Sequence, residues 1–403
     1  MPKQRGKIMP NWILIIVLLV IGAVIAGVSF YIDQLFRTKS ELAEFIRLNP
    51  NTTAIAAYTI DEHGERVEDG SEIFENADLP LVVASTMKII VLAAYEDAVA
   101  RGEFDPGEQV AMVDLERYYL PVTDGGAHAA GLASLGLAAD ASGFARDQNA
   151  TIGLDDVARI MMHNSGNAET DYLIARLGAE RIASVMALAG LEQHTPLQPV
   201  LGITLALFNH EVPLTNTEQR QALINQVANG DFSSLESLMD LYLHDQSWRA
   251  AQIAFMQSEE FVAAAGQIGW EGQAAASQLF PKGTAREYAR LMAKIASGQF
   301  ISPEVSARMQ QKLESVPSDW PLRLLFHRRY GAKDGVTAGV LALASYAVPK
   351  NGLLAGQPRV VVILTNELPY ETWAAQLQAQ GIYLLETDLA RAAGVFNQLA
   401  DSR

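Results

Sequence analysis

A serine and a lysine three positions apart, Ser85 and Lys88, hold the most chemical promise in this 403-residue chain. They lie in LVVASTMKIIVLAAYEDA, residues 81–98, whose apolar content reads as a helix carrying both side chains on one face, one turn apart. An apolar helix has no packing use for an ammonium. If buried there, Lys88 gives up its proton easily, and a neutral amine can deprotonate Ser85 and make it a nucleophile. Ser85 would also stand at a helix N-terminus, where free backbone N–H groups can hold an oxyanion. The bland alternative is a core helix with one snorkelling lysine, and a four-residue pattern alone does not decide between them.

Composition narrows the classes. The formal charge of −16, from 30 Lys and Arg against 46 Asp and Glu, offers no basic stripe for phosphates and excludes nucleic acid as an expected partner. With no cysteine there are no disulfides, thiolate metal sites or cysteine nucleophiles. His128, His163, His194 and His210 show no ligand spacing and read as ordinary surface or core residues.

The elements that must position the pair follow in chain order. Lys3, Arg5 and Lys7 precede an apolar run over 11–32, long enough to cross a hydrocarbon core of ~30 Å. The run is too long for a signal peptide and lacks a small-residue cleavage site, so an uncleaved anchor is expected. Basic residues ahead of it place everything after Asp33 on the far side of a bacterial inner membrane, as a single-pass protein with an extracytoplasmic domain. Residues 33–50 read as a juxtamembrane helix with Leu42, Phe45, Ile46 and Leu48 free to pack. A strand is expected over 52–60, then a turn at Asp61-Glu62-His63-Gly64, then the opening helix up to Gly102. Residues 125–150, rich in Gly, Ala and Ser, read as a loop or a loosely helical insert.

Helices are expected on both sides of a break at Asn164-Ser165-Gly166-Asn167, which would push polar groups into a cleft. Residues 191–209, interrupted by two prolines, read as a packed irregular loop. Residues 211–281 look helical, with Trp248 and Trp270 as packing anchors; 284–297 and 303–316 look like two more helices. Strand-rich runs at 338–348 and 359–364 precede one long amphipathic helix over 371–399. Strands at both ends with helices between imply an α+β fold in which the terminal segments share one sheet.

Ser85-Thr86-Met87-Lys88, Ser165-Gly166-Asn167 and Lys333-Asp334-Gly335, in that order, resemble the three motifs of the penicillin-recognising serine enzymes, most of all class A β-lactamases. Tyr119-Leu120-Pro121-Val122-Thr123 is similar to that family's aromatic cleft wall, Thr284-Ala285-Arg286-Glu287 with Leu291 to the helix after its catalytic loop, and Pro321-Leu322-Arg323 to the segment before its third motif. The resemblance covers 51–403, with extra residues at 125–150 and a helical insert at about 211–282. It implies an antiparallel sheet from both chain ends beside an all-helical subdomain.

It also implies roles. Ser85 would form an acyl-enzyme, with Lys88 as base; Ser165, polarised by Lys333, would pass the proton to the leaving group. Asn167 would hold the substrate amide and orient Lys88, and the backbone N–H groups of Ser85 and Val336 would form the oxyanion hole. Tyr119, Asp334 and Gly335 complete the substrate contacts. No metal or organic cofactor is implied.

Two departures stand out. The segment 192–209, where the family carries a deacylating glutamate, has no acid after Glu192; Gln198 lies nearest that place, and an amide is no base. Asp334 replaces a hydroxyl that meets the antibiotic carboxylate, so it would repel that group unless it pairs with Lys333. Leu343 stands where the family often has an arginine. The expected function is a membrane-anchored, β-lactamase-like serine acyl hydrolase acting on a β-lactam or another small-molecule or peptide amide or ester. The alternatives are a penicillin-binding-protein-like peptidase on cell-wall peptides, or a catalytically weak binding relative. A protein partner of the helical insert is left unspecified.

Overall fold

A computed structural model describes residues 11–315 and 323–391, with side chains from residue 27 onward except at 324. Five strands form one antiparallel sheet: β1 (Thr53–Thr59), β2 (Ile73–Glu75), β7 (His327–Thr337), β8 (Val340–Pro349) and β9 (Arg359–Thr365), in the order β2-β1-β9-β8-β7. Two strand pairs lie outside it: β3 (Leu81–Val82) with β6 (Lys282–Gly283), and β4 (Gln109–Ala111) with β5 (Thr151–Gly153).

Period-two geometry sends successive side chains to opposite faces of a strand, and here both faces are covered. Ala54, Ala56 and Tyr58 of β1, with Val360, Val362 and Leu364 of β9, join one core with the helices Lys88–Ala100 and Ala285–Ser297. Ile55, Ala57, Val361 and Ile363 face the other way, against the N-terminal and C-terminal helices. This double burial explains why β1, β8 and β9 read as unbroken apolar runs.

The helix Asn11–Leu48 packs on Gly381–Arg391 and Tyr370–Ala379. Leu35, Leu42 and Ile46 are buried and Leu48 is exposed, so residues expected as a juxtamembrane spacer contribute to the second core. Among the described residues no helix is long and apolar enough to cross a membrane. Most of the span expected over 11–32 lies outside the residues whose side chains are described, and Lys3, Arg5 and Lys7 lie outside the described residues altogether. The same holds for Pro321, Leu322 and the end of the expected C-terminal helix.

Three other expectations need correction. The C-terminal helix is two helices, broken at Gln380, whose φ of 54° is left-handed. The Gln376 side chain stabilises the break, donating to Thr38 O at 2.7 Å and accepting from Ile382 N at 3.0 Å. The segment 191–209 is only partly a loop, since Val200–Phe208 is helical. The buried Asp171 carboxylate accepts from Val200 N at 2.8 Å and Leu201 N at 2.7 Å, satisfying two donors a helix start leaves open. Finally, 81–82 are strand and 84–87 a 3₁₀ turn, so the expected helix begins only at Lys88.

Residues 211–281 contain four helices, Thr217–Ala228, Ser233–His244, Gln246–Met256 and Glu259–Ala276. Trp248 is buried among them, and Trp270 packs 4.9 Å, centroid to centroid, from Trp373.

Arg359 tests the start of the central strand. Fully buried on β9, it donates to Ser71 Oγ at 2.6 Å, Ser71 O at 2.8 Å, Thr59 Oγ1 at 3.1 Å and Leu389 O at 3.1 Å. Arg359→Met leaves those acceptors dry and unpaired, so urea denaturation should show a loss of about 3 kcal/mol.

Candidate functional site

Ser85 lies in the 3₁₀ turn Ala84–Met87, reached through Ala84 at a left-handed φ of 45°. Such a conformation is costly for a residue with a Cβ and persists only where neighbours hold it. One neighbour is Asn366, whose side chain accepts from Val82 N at 2.9 Å and donates to Val82 O at 3.1 Å. Another is β7. A Cβ on Gly335 would stand 2.6 Å from Val83 O, 2.7 Å from Ser85 N and 2.9 Å from Thr86 N. Glycine therefore lets the strand press its backbone against the nucleophile turn.

Lys88 opens the next helix and is fully buried. Its ammonium donates to Ser165 O at 2.6 Å, Asn167 Oδ1 at 2.8 Å and Ser165 Oγ at 3.3 Å. Burial is the main cause, with the nearby Lys333 second, that brings its pKa from the ordinary lysine range down to about 7. Among the described residues no hydrogen bond joins Lys88 Nζ to Ser85 Oγ; the amine faces the Ser165–Asn167 side of the cleft.

Ser165 is itself left-handed, at φ 63°, just before the helix Asn167–Leu177. The Gly166 between them has a packing reason: a Cβ there would run into the Glu169 carboxylate. Glu169 belongs to a group that the sequence did not single out. His128, fully buried, bridges Glu169 Oε1 at 2.6 Å and Glu116 Oε1 at 3.1 Å. Burial alone would lower its pKa, but the two carboxylates outweigh burial and push it up to about 10. Glu116 also accepts from Ala145 N and Gln148 Nε2, both at 2.6 Å. His128 is thus no ordinary core residue: it ties the segment 125–150 to the helix that carries Asn167. An Ala/Gly-rich stretch gives no sign of this pairing, because the two glutamates sit 12 and 41 positions from the histidine.

Lys333 lies on β7 and donates to Asp334 Oδ1 and Asp334 O, each at 2.9 Å. It therefore spends its charge on Asp334 rather than on Ser165, contrary to the expected polarisation. Burial would raise the Asp334 carboxyl, yet the Lys333 ammonium holds it below the usual aspartate value, as an anion.

These groups surround a cleft of about 570 Å³ lined by Ser85, Ser165, Asn167, Asp334 and Val336. Tyr119 does not line it: the ring is buried and its hydroxyl donates to Ser142 O at 3.2 Å. Val122, left-handed at φ 70° and exposed, lines the cleft in its place. Gln198 is buried in the loop ahead of the helix Val200–Phe208 and is not among the lining residues. The helical insert contributes Phe261, Ala265, Gln273, Ala276 and Ser277 to the wall, a role invisible in its Ala/Gln-rich sequence. The arrangement supplies a hydroxyl in a tight 3₁₀ turn, an amine poised to exchange protons near neutrality, and a second hydroxyl within reach of that amine.

The sequence profile described as the beta-lactamase enzyme family matches residues 37–330. A comparison with curated proteins finds no match. Among solved structures, a beta-lactamase from Chitinophaga pinensis is similar over 88% of this chain and 99% of its own, at 13% identity and TM-score 0.50. A beta-lactamase from Sphaerobacter thermophilus covers 86% of this chain and 91% of its own, at 16% identity and TM-score 0.48. PBP-A covers 86% and 95%, at 16% identity and TM-score 0.48. At such identities the likeness concerns the fold.

Gly335→Ala tests the contact between β7 and the nucleophile turn. The domain should keep its circular dichroism spectrum but lose about 1–3 kcal/mol of stability in urea, because the added Cβ must push backbone atoms of the turn by several tenths of an ångström.

Proposed function

From the premise that the chain belongs to the beta-lactamase enzyme family, we propose that it is a membrane-anchored serine acyl hydrolase acting through an acyl-enzyme on Ser85. One observation carries the reading: a fully buried amine, Lys88, is hydrogen-bonded to Ser165 and Asn167 at the floor of the cleft that Ser85 lines. Neutral Lys88 takes the Ser85 proton as Oγ bonds to the substrate carbonyl carbon. Ser165 Oγ, within reach of Lys88 Nζ, returns a proton to the leaving group as the amide or ester bond breaks. Backbone N–H groups of Ser85 and Val336 hold the oxyanion, each worth roughly 3–4 kcal/mol of barrier. Asn167 orients Lys88 and accepts or donates to the substrate amide.

The apolar run over 11–32, with Lys3, Arg5 and Lys7 ahead of it, supports an anchor in a bacterial inner membrane with the domain outside the cytoplasm. Exposed Val28, Phe30, Ile32 and Phe36 on the N-terminal helix fit the same reading.

A second reading is favoured by one feature. No acid follows Glu192 in 192–209, and the one imidazole there, His194, is buried against Thr195 O and the Tyr288 hydroxyl and is not among the residues lining the cleft. The acyl group is then released slowly to water, or passed to a peptide amine, as in a penicillin-binding-protein-like peptidase.

Incubating the full chain in lipid nanodiscs with a fluorescent penicillin and with a neutral p-nitrophenyl ester tests both readings. A covalent adduct on Ser85, absent in Ser85→Ala, is expected by intact mass. Equal labelling of Ser85→Ala sinks the mechanism. Rapid loss of the adduct supports the hydrolase, and persistence until a peptide amine is added supports the peptidase.

The acylation rate should also depend on pH through Lys88. The base is the deprotonated amine, so the rate rises about tenfold per unit below about pH 7 and levels off above it. A profile still rising steeply at pH 9 would contradict a neutral Lys88.

A further inference from the structure

The acyl-enzyme reading leaves open which acyl groups the cleft admits, and its walls speak to that. Among the described residues, Asp124 and Asp334 are the only charged side chains lining it. Asp124 accepts from Gly126 N at 3.0 Å and His128 N at 2.7 Å, and Asp334 is an anion paired with Lys333. Lys88 and Lys333 lie beneath the surface with their donors already engaged. No lining cation therefore awaits a substrate carboxylate.

Away from Ser85 most of the wall is apolar, with Thr204, Gln273 and Ser277 set among the apolar side chains, and those come chiefly from three separate elements. Ile203, Leu207 and Phe208 project from the helix Val200–Phe208, Phe261 from the insert, and Trp373 and Leu377 from Tyr370–Ala379. The three are fastened to one another. Ser277, at the end of the insert, donates to Ala338 O at 2.7 Å, and Trp373 Nε1 donates to Thr337 O at 2.9 Å. Phe208 and Phe261 meet edge to face with centroids 5.3 Å apart. A wall fixed in this way, and open to the nucleophile, is a binding surface already formed before substrate arrives.

We propose that the cleft selects acyl groups bearing an extended apolar chain and no anionic group beside the scissile carbonyl, with the helical insert supplying part of the chain-binding wall. The inference rests on the acyl-enzyme reading. In the reaction, Ser85 Oγ bonds to the acyl carbon as the bond to the leaving oxygen or nitrogen breaks. The serine proton goes to Lys88 and from there to the leaving group. The apolar chain lies along Leu207, Phe261 and Leu377, while a carboxylate beside the carbonyl finds Lys333 already paired with Asp334 and so loses its hydration without gaining a cation.

The test uses p-nitrophenyl esters from acetate to decanoate, kept below micelle concentrations, with the full chain in lipid nanodiscs. Ser85→Ala supplies the background rate. Esters of the same lengths with a carboxylate on the carbon next to the acyl carbonyl serve as anionic counterparts. The expected result is a kcat/KM that rises about fourfold per added methylene until the cleft is filled, with each anionic ester at least tenfold slower than its neutral partner. Leu207→Glu should lower the decanoate rate more than the acetate rate, and Asp334→Thr should narrow the gap between neutral and anionic esters. Rates that are flat in chain length, or anionic esters that match neutral ones, overturn the inference while a Ser85 adduct by intact mass leaves the acyl-enzyme standing. If no ester forms that adduct, the acyl-enzyme reading fails, and the inference with it.

Discussion

An amine taken wholly out of water must find acceptors or give up its proton, and the region around Lys88 is built on that requirement. Its two shortest hydrogen bonds run to the Ser165 carbonyl and the Asn167 amide. To present that carbonyl, Ser165 adopts a left-handed backbone, and to let the next helix start at once, residue 166 must lack a Cβ that would strike Glu169. Glu169 in turn is held by His128, and His128 by Glu116. A single buried nitrogen thus links the nucleophile helix, the Ser165–Asn167 junction and the segment 125–150. Breaking a buried charge network at one member costs more than the bond removed, because the remaining charge stays behind without a partner.

The second half of the site follows a different logic. Lys333 and Asp334 are neighbours on one strand that satisfy each other, and the charge Lys333 could have lent to a substrate is largely cancelled by Asp334. The sheet edge keeps its contact with the nucleophile turn through Gly335, but its electrostatics differ from a site made to grip an anion. The proposed preference for apolar acyl groups rests on this pairing together with the largely apolar wall, and one fold serving several substrate classes is common.

The parts legible in the sequence were those whose signal is local. The three short motifs stand at fixed offsets, and the runs in β1, β8 and β9 are apolar because both faces are covered. What stayed hidden depends on partners far apart in the chain. The start of the helix Val200–Phe208 is set by Asp171, about thirty residues earlier, so the prolines of 191–209 suggested a loop. The family resemblance implies a cleft position for Tyr119, yet the nearby Phe144 and His128 rings and the Ser142 carbonyl draw it inside and leave Val122 at the rim. The break at Gln380 is likewise set from outside, by a glutamine one turn earlier reaching the N-terminal helix.

The measurement that bears most directly on the account is the titration of Lys88 itself. In protein labelled with ¹³Cε-lysine, with Lys88→Met to assign the signal, the Lys88 resonance should titrate with a midpoint near 7. A midpoint near the ordinary lysine value of about 10.4 would mean a charged amine at neutral pH, and Ser85 would have no base at its side.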